Sequence, residues 1–387
     1  FRRRRAYGRR GPLATAGPPA FSAGGLTNPT GFTWDAAGVL YVAEADRTGV
    51  PAGPAVEPVP GTPDAAAAGA QPTVPGVGTA HAGAQSGSVV KITNGCPATV
   101  ADGFASATNP DLGWALGVSA VAFLDGQLYA LVDGGGAATE NPDLPNGVYT
   151  VNPDGTSAVV ADLSAWLRVN DVSRPHEPLT PDGQPFGMIA GADALWVTES
   201  NHGQLLRITP DGAILRVADF SPLGDTVPTG IAAAPDGGWY VGFRSPPPFA
   251  PGTSKVMKVA ADGTATDVWT GLSTVTGVAV GPDGALYAAE LTTGEGSGVT
   301  PPFVIPGSGK VVRQTGPAAS ADVATGLSSP TWLAFGPDGG LYVDGPAIGA
   351  YHGEGMILRL DPAATTAVDA SMVAPMAACP TDATPTP

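Results

Sequence analysis

The sequence predicts an all-β fold: a six-bladed β-propeller of four-stranded antiparallel blades, with an N-terminal strand completing the last blade. Three observations predict it. A phrase of the form Pro-Thr-Gly, short apolar run, Pro-Asp-Gly, Leu-Tyr-Val-Ala-Glu recurs six times along the 387 residues. A second hairpin follows each copy. The 55 glycines and 41 prolines recur within that pattern, which separates them from the scattered Gly and Pro of a disordered chain.

The copies follow in order. The first runs from Pro29-Thr30-Gly31 to Leu40-Tyr41-Val42-Ala43-Glu44. The second is degenerate: Gly117 to Phe123, then Asp125-Gly126 and Leu128-Tyr129. The third runs from Pro185-Phe186-Gly187 to Leu195-Trp196-Val197-Thr198-Glu199. The fourth has Pro228-Thr229-Gly230, Pro235-Asp236-Gly237 and Trp239-Tyr240-Val241. The fifth has Thr276-Gly277, Pro282-Asp283-Gly284 and Leu286 to Glu290. The sixth has Pro330-Thr331-Trp332, Pro337-Asp338-Gly339 and Leu341-Tyr342-Val343-Asp344.

The following hairpins are typified by Gln204 to Ile208 turning at Pro210-Asp211-Gly212, and Lys255 to Val259 turning at Asp262-Gly263. Asp-Gly favours such turns because both residues tolerate positive φ. Each unit therefore reads as strands a, b, c and d. Strand a is small and apolar, as in Ile231-Ala232-Ala233-Ala234, which suits a crowded central axis. The aromatics at the second residue of strand b (Tyr41, Tyr129, Trp196, Tyr240, Tyr287, Tyr342) are expected to pack between blades.

A propeller must close, because an open ring leaves bare strand edges. The sixth unit has a, b and c (Met356 to Leu360) but no obvious d. Phe21 to Leu26 aligns with Val323 to Leu327, so residues 18–24 are expected to supply that outer strand. The domain plan is an arm over 1–17, blades near 26–104, 113–164, 184–221, 227–272, 275–327 and 329–362, and a tail over 363–387 packed back on the ring. A tail returning over blade one would bring Cys379 to Cys96, in the c–d turn of that blade. The pair could form a disulfide lock; the alternative is two unpaired thiols.

The long insertions all fall between strands b and c: Asp46–Ser86, Asp133–Asn146, Arg244–Thr253, Leu291–Ser308 and Gly345–Glu354. In a propeller these loops share one face, so one face is elaborated, and binding normally sits on such a face.

Charge is split. Arg2, Arg3, Arg4, Arg5, Arg9 and Arg10 stand in the first ten residues without an acid, leaving 12 bases against 34 acids in the rest, a net of −22. The acidic body should repel nucleic acid and anionic membranes. No run of 18 apolar residues could span a membrane. A basic arm on an acidic body can dock head to tail on the next copy, giving a ring or filament. The start at Phe1-Arg2, few lysines and an Ala/Thr/Pro-rich composition read as a mature, secreted, extracellular chain.

The repeat resembles the NHL-type propellers. More closely, residues 19 to about 362 resemble the ScyD/ScyE family of secreted propellers. That resemblance implies the fold and export, and little about activity. The stretch Leu195 to Asn201 and Arg207 to Gly212 is also similar to the streptogramin (virginiamycin B) lyase repeat. That likeness implies a metal with a histidine on the binding face.

Carboxylates end strand b at one repeat position in blades one, three and five: Glu44, Glu199 and Glu290. Asp344 stands one residue earlier in blade six, and Asp133 one later in blade two. At a channel mouth, such oxygens could hold Ca²⁺ or Mg²⁺. The alternative is that each carboxylate accepts backbone N–H groups of the next blade. His202 and His352 belong to the elaborated face, where a lyase or hydrolase would need one as acid or base. No two histidines have metal-ligand spacing, and there is no Gly-x-Ser-x-Gly elbow, Walker loop or zinc cysteine pair.

The preferred reading has no catalytic residue and no cofactor. It is a non-enzymatic extracellular propeller, a binding or structural module that assembles with copies of itself. The alternatives are a metal-dependent lyase or lactonase-type enzyme at the channel mouth, and a carrier of a small molecule.

Overall fold

Each repeat forms one antiparallel sheet in the computed structural model, which describes residues 20–46, 82–109, 114–175, 180–224, 227–245, 249–294, 304–348, 353–362, 366–372 and 379. Blade one holds Pro29–Trp34, Leu40–Glu44, Ala82–Thr93 and Cys96–Asn109, with a short fifth strand, Trp114–Leu116. Blade two holds Val118–Leu124, Gln127–Val132, Gly147–Val151 and Ser157–Asp162. Blade three holds Pro185–Ala190, Leu195–Glu199, Gln204–Ile208 and Ile214–Asp219. Blade four holds Val227–Ala233, Trp239–Arg244, Ser254–Val259 and Ala265–Leu272. Blade five holds Val275–Val280, Leu286–Glu290, Gly309–Gly316 and Ala319–Leu327. Blade six holds Leu333–Phe335, Leu341–Gly345 and Gly355–Leu360, and the N-terminal strand Ala20–Leu26 completes it. Ala20 pairs with Arg359 and Leu26 with Gly355, antiparallel, as ring closure requires.

The Pro-Thr-Gly phrase has a mechanical reason. Its glycine lets inner strands approach: a Cβ on Gly230 would lie 2.6 Å from Gly277 Cα, and one on Gly187 2.8 Å from the Thr229 carbonyl oxygen. Its threonine ties blade to blade. Thr30 Oγ1 donates to the Val118 carbonyl (2.6 Å), Thr229 Oγ1 to Val275 (2.8 Å) and Thr276 Oγ1 to Pro330 (2.8 Å). Blade three has Phe186 instead, and Thr198 of its strand b makes the equivalent bond to the Thr229 carbonyl, at 2.5 Å.

The strand-b aromatics pack across blade boundaries as expected. Tyr41 meets Phe123 edge-on at 5.0 Å, Trp196 meets Trp239 at 3.8 Å, Tyr287 meets Phe335 at 5.2 Å and Tyr342 meets Trp34 at 5.0 Å. On the turn face, the aspartate of the a–b turn pairs with a base on strand c in four blades: Asp193–Arg207, Asp236–Lys258, Asp283–Arg313 and Asp338–Arg359. These pairs are partly exposed, so each contributes at most about 1 kcal/mol.

Closure has a second layer. Each c–d turn leans on the outer strand of the preceding blade, as Pro317 does in accepting from Thr270 N (2.9 Å) and Gly95 in accepting from Gly24 N (3.1 Å). Blade six has no continuous c–d turn, because its outer strand comes from the other end of the chain. The tail fills that place: Val368 and Asp369 pair in parallel with Ala324 and Thr325 of blade five. Farther on, Cys379 is bonded to Cys96 with Cα atoms 5.6 Å apart. Its Sγ packs 3.3 Å from where a Cβ on Gly25 of the closing strand would stand. The predicted disulfide is present, and Cys379 meets the closing strand Ala20–Leu26 at one seam.

One expected loop is in part a strand. Strand c of blade one starts at Ala82, inside the segment 46–86, and pairs with the outer strand up to Thr108. Asp46 anchors this extension by accepting from Ser86 and Thr108 hydroxyls. The arm with Arg2, Arg3, Arg4, Arg5, Arg9 and Arg10 lies outside the described residues, as does His352. Among the described residues, no helix is long and apolar enough to cross a membrane.

Candidate functional site at the mouth of the axial channel

The carboxylates that end strand b are buried, and each accepts from backbone at the entry of a blade; of the series, Asp133 also lines the channel-mouth cavity. Glu44 (2% exposed) accepts from Thr27 N at 2.8 Å and Ser88 Oγ at 2.7 Å. Glu199, fully buried, accepts from the N–H groups of Gln184 (2.8 Å), Asn201 (2.9 Å) and His202 (2.9 Å). Glu290 accepts from Ser273 N at 2.9 Å, and its other oxygen lies 3.4 Å from Lys310 Nζ. Asp344 accepts from Thr331 N (2.8 Å) and Trp332 N (2.7 Å), and Asp133 from Gly117 N (2.7 Å).

The donors Thr27, Gln184, Ser273, Thr331 and Gly117 all stand just before strand a of the same blade. The carboxylate therefore clamps the entry of its own blade, and the expected bond to the next blade is corrected. Among the described residues, no three His, Cys, Asp or Glu side chains are grouped to hold a metal ion, and Glu44, Glu199 and Glu290 do not meet.

His202 belongs to the same clamp. Its Nδ1 lies 3.2 Å from Glu199 Oε2, and the residue is 6% exposed. Burial alone would raise the Glu199 carboxyl; the bond and charge attraction to His202, with the Gln184 and His202 N–H groups, hold it below its ordinary range. Burial alone would lower the imidazole; Glu199 more than offsets that and raises it.

The cavity at the channel mouth is built from other positions. It encloses about 510 Å³, its opening to solvent included. Strand a supplies Thr30, Ser119, Phe186 and Thr276 to its wall, and Thr331 joins them from just before strand a of blade six. Asp133, Arg244 and Leu291 supply more, and all three stand one residue past the strand-b clamp position. Ala45 and Ser200 hold that position in blades one and three. Leu116 and Ile348 add apolar surface. The clamp glutamate recurs in blades one, three and five because each holds the same stretch of backbone; Val132 and Phe243 stand there in blades two and four. The residue after it is free to differ, and there the wall acquires a cation, a carboxyl and a leucine.

Arg244 is 8% exposed, with its guanidinium over the Phe249 ring at 5.4 Å from the centroid. Burial lowers its pKa to about 10, so it remains cationic at neutral pH. Burial raises Asp133 to about 7, against the pull of the Gly117 N–H and its own. Asp133 also borders a second recess with Asp182 and Asn146, between blades two and three. The sequence singled out Asp133 only as an outlier of the carboxylate series and did not single out Arg244. The one available signal was departure from the repeat.

Comparison with solved structures returns the same architecture. The putative oxidoreductase (glucose dehydrogenase) of Thermus thermophilus is 17% identical, covering 88% of this chain and 99% of its own, with TM-score 0.54. Regucalcin, a calcium-binding protein of Agrobacterium tumefaciens, is 16% identical over 90% of this chain and 95% of its own, with TM-score 0.51. Streptogramin B lyase is 17% identical over 89% of this chain and 96% of its own, with TM-score 0.44. At these identities the likeness is one of fold. No protein-family model and no curated protein matches the chain, so the ScyD/ScyE resemblance stands on the repeat phrases alone.

Proposed function

We propose that this chain is a non-enzymatic extracellular β-propeller, a binding and structural module whose copies join through the basic N-terminal arm. The observation that carries the reading is the charge split between the arm and one face of the ring. The closing strand that follows the arm starts at Ala20 beside Arg359, at the turn-face end of blade six. On that face Asp35, Asp125, Asp154, Asp211 and Asp262 have no ion-pair partner among the described residues. Surplus acid thus lies on the face from which the arm departs. A second copy that takes the arm there gives a face-to-face pair; an arm passed onward gives the head-to-tail ring or filament.

The Cys96–Cys379 bridge supports an oxidising, extracellular setting, as does the ScyD/ScyE resemblance. The lyase or lactonase-type alternative has less support, because Glu44, Glu199, Glu290 and His202 already hold backbone or one another. The test is light scattering of the intact chain and of one lacking residues 1–12, at low and high salt. The reading expects the intact chain to associate at low salt, and either high salt or loss of the arm to return monomers. Monomers of both chains at every salt contradict it.

A further inference from the structure

We propose that the turn face of blade two receives an arginine from the N-terminal arm of a second copy, with Asp125 and Tyr129 as its receptor. The inference rests on the arm-mediated association proposed above and names the place where the arm lands.

The repeat itself shows what the place is shaped for. In blades five and six the aspartate of the a–b turn, the tyrosine of strand b and an arginine of strand c form a triad on the turn face. Arg313 donates to Asp283 (2.7 Å) and to the Tyr287 hydroxyl (3.1 Å), with its guanidinium 5.9 Å from the Tyr287 ring centroid. Arg359 donates to Asp338 (2.6 Å), which also accepts from the Tyr342 hydroxyl (3.2 Å). In both blades the arginine stands opposite the tyrosine in the b–c ladder.

Blade two keeps two of the three members. Asp125 holds the a–b turn and Tyr129 the aromatic place of strand b, but Thr150 stands opposite Tyr129 where the arginine belongs. The Thr150 hydroxyl donates to the Ala158 carbonyl. No neighbour in sequence replaces the base, since Ile92 to Leu167 contains no Lys or Arg. Tyr129 is 5% exposed, yet its hydroxyl has no hydrogen-bond partner among the described residues. Burial, and then the charge of Asp125, raise its pKa, so it stays a donor beside that carboxylate. Asp125 itself is exposed and has no ion-pair partner among the described residues.

The other blades supply their own base at this place. Lys91 stands opposite Tyr41, Arg207 opposite Trp196 and Lys258 opposite Tyr240. Blade two alone leaves the turn aspartate without one on its strand c. A guanidinium fits the gap better than an ammonium, because its fork can meet carboxylate and hydroxyl together, as Arg313 does.

The arm has the matching chemistry. Its first ten residues carry six arginines, no lysine and no acid. It leads into the closing strand at Ala20, which stands beside Arg359 on the turn face. Fully extended, residues 1–19 would span about 60 Å, enough to cross to a facing ring.

The experiment is sedimentation equilibrium of the full chain at low and high salt, for the wild type and three variants. Asp125→Asn should weaken low-salt association at least about fivefold. Thr150→Arg supplies the missing base from within the blade, and should weaken it at least about tenfold while staying as stable to urea as the wild type. Asp193→Asn removes the same charge from an aspartate already paired with Arg207, and should leave association within about twofold. Equal weakening by Asp193→Asn and Asp125→Asn would mean that overall charge holds the arm, and overturns the proposal. If the wild type associates and salt disperses it, but folded Asp125→Asn and Thr150→Arg associate as it does, the receptor is wrong while arm-mediated association stands. A wild type that is monomeric at every salt overturns both.

Discussion

Asp133 and Arg244 hold the same place in the repeat, one residue past the strand-b clamp position, in blades two and four, and both line the mouth of the axial channel. In blades one, three and five the clamp position itself holds Glu44, Glu199 or Glu290, each bonded to the backbone entering its own blade. Of the residues that follow these glutamates Leu291 lines the cavity, while in blade two Asp133 both holds Gly117 N and faces the channel.

The inner ring should tolerate no side chain at its contact glycines. Gly230→Ala would drive a Cβ to 2.6 Å from Gly277 Cα and 2.7 Å from Val278 N, both backbone atoms. Overpacking of this kind is expected to cost about 3 kcal/mol or more, read as a fall in the urea midpoint. Thr30→Val removes one inter-blade hydrogen bond and should cost only about 1 kcal/mol.

Stability should fall as the pH rises from about 4 to about 7. Burial raises Asp344 from 3.8 to about 7, against bonds from Trp332 and Thr331, and raises Asp133 likewise. Between these values the folded state holds a proton that the unfolded chain has released. The stabilisation is full below about pH 4, shrinks toward about pH 7 and is constant above it. Asp344→Asn cannot titrate, and its amide keeps an oxygen for the two N–H donors. It should reduce the slope of unfolding free energy against pH by up to about 1.4 kcal/mol per unit in that range. A slope equal to the wild type's would remove Asp344 from the account.

The disulfide should matter more than a surface crosslink, because it fastens the tail where the closing strand meets blade one. Replacing both Cys96 and Cys379 by Ser should lower stability by roughly 2–4 kcal/mol. Hydrogen exchange should quicken first in Ala20–Leu26 and in Gly355–Leu360 against which it pairs. Uniform quickening in all six blades would mean that the seam is not a local weak point.

Much of this architecture was legible in the sequence. Pro-Thr-Gly, Pro-Asp-Gly and the strand-b aromatics recur because every blade solves the same packing problem. The closing strand at Phe21–Leu26 was readable because it repeats the phrase at Val323–Leu327. The parallel pairing of Val368–Asp369 with blade five was not, since two residues carry no periodicity. Nor was the strand start at Ala82, which follows a glycine- and alanine-rich stretch without alternation. The residues of the channel-mouth wall were missed for a physical reason. Recurrence pointed to Glu44, Glu199 and Glu290, but what recurs is the backbone's need for an acceptor. The channel wall is made where blades differ, and one sequence alone does not distinguish a meaningful departure from drift.

The most direct test of the clamp is the urea midpoint of Glu199→Gln. The change keeps one acceptor but turns an amide toward the His202 N–H, in a side chain that accepts from the N–H groups of Gln184, Asn201 and His202. It should cost about 1–3 kcal/mol of stability. A Glu199→Gln protein as stable as the wild type would contradict the clamp.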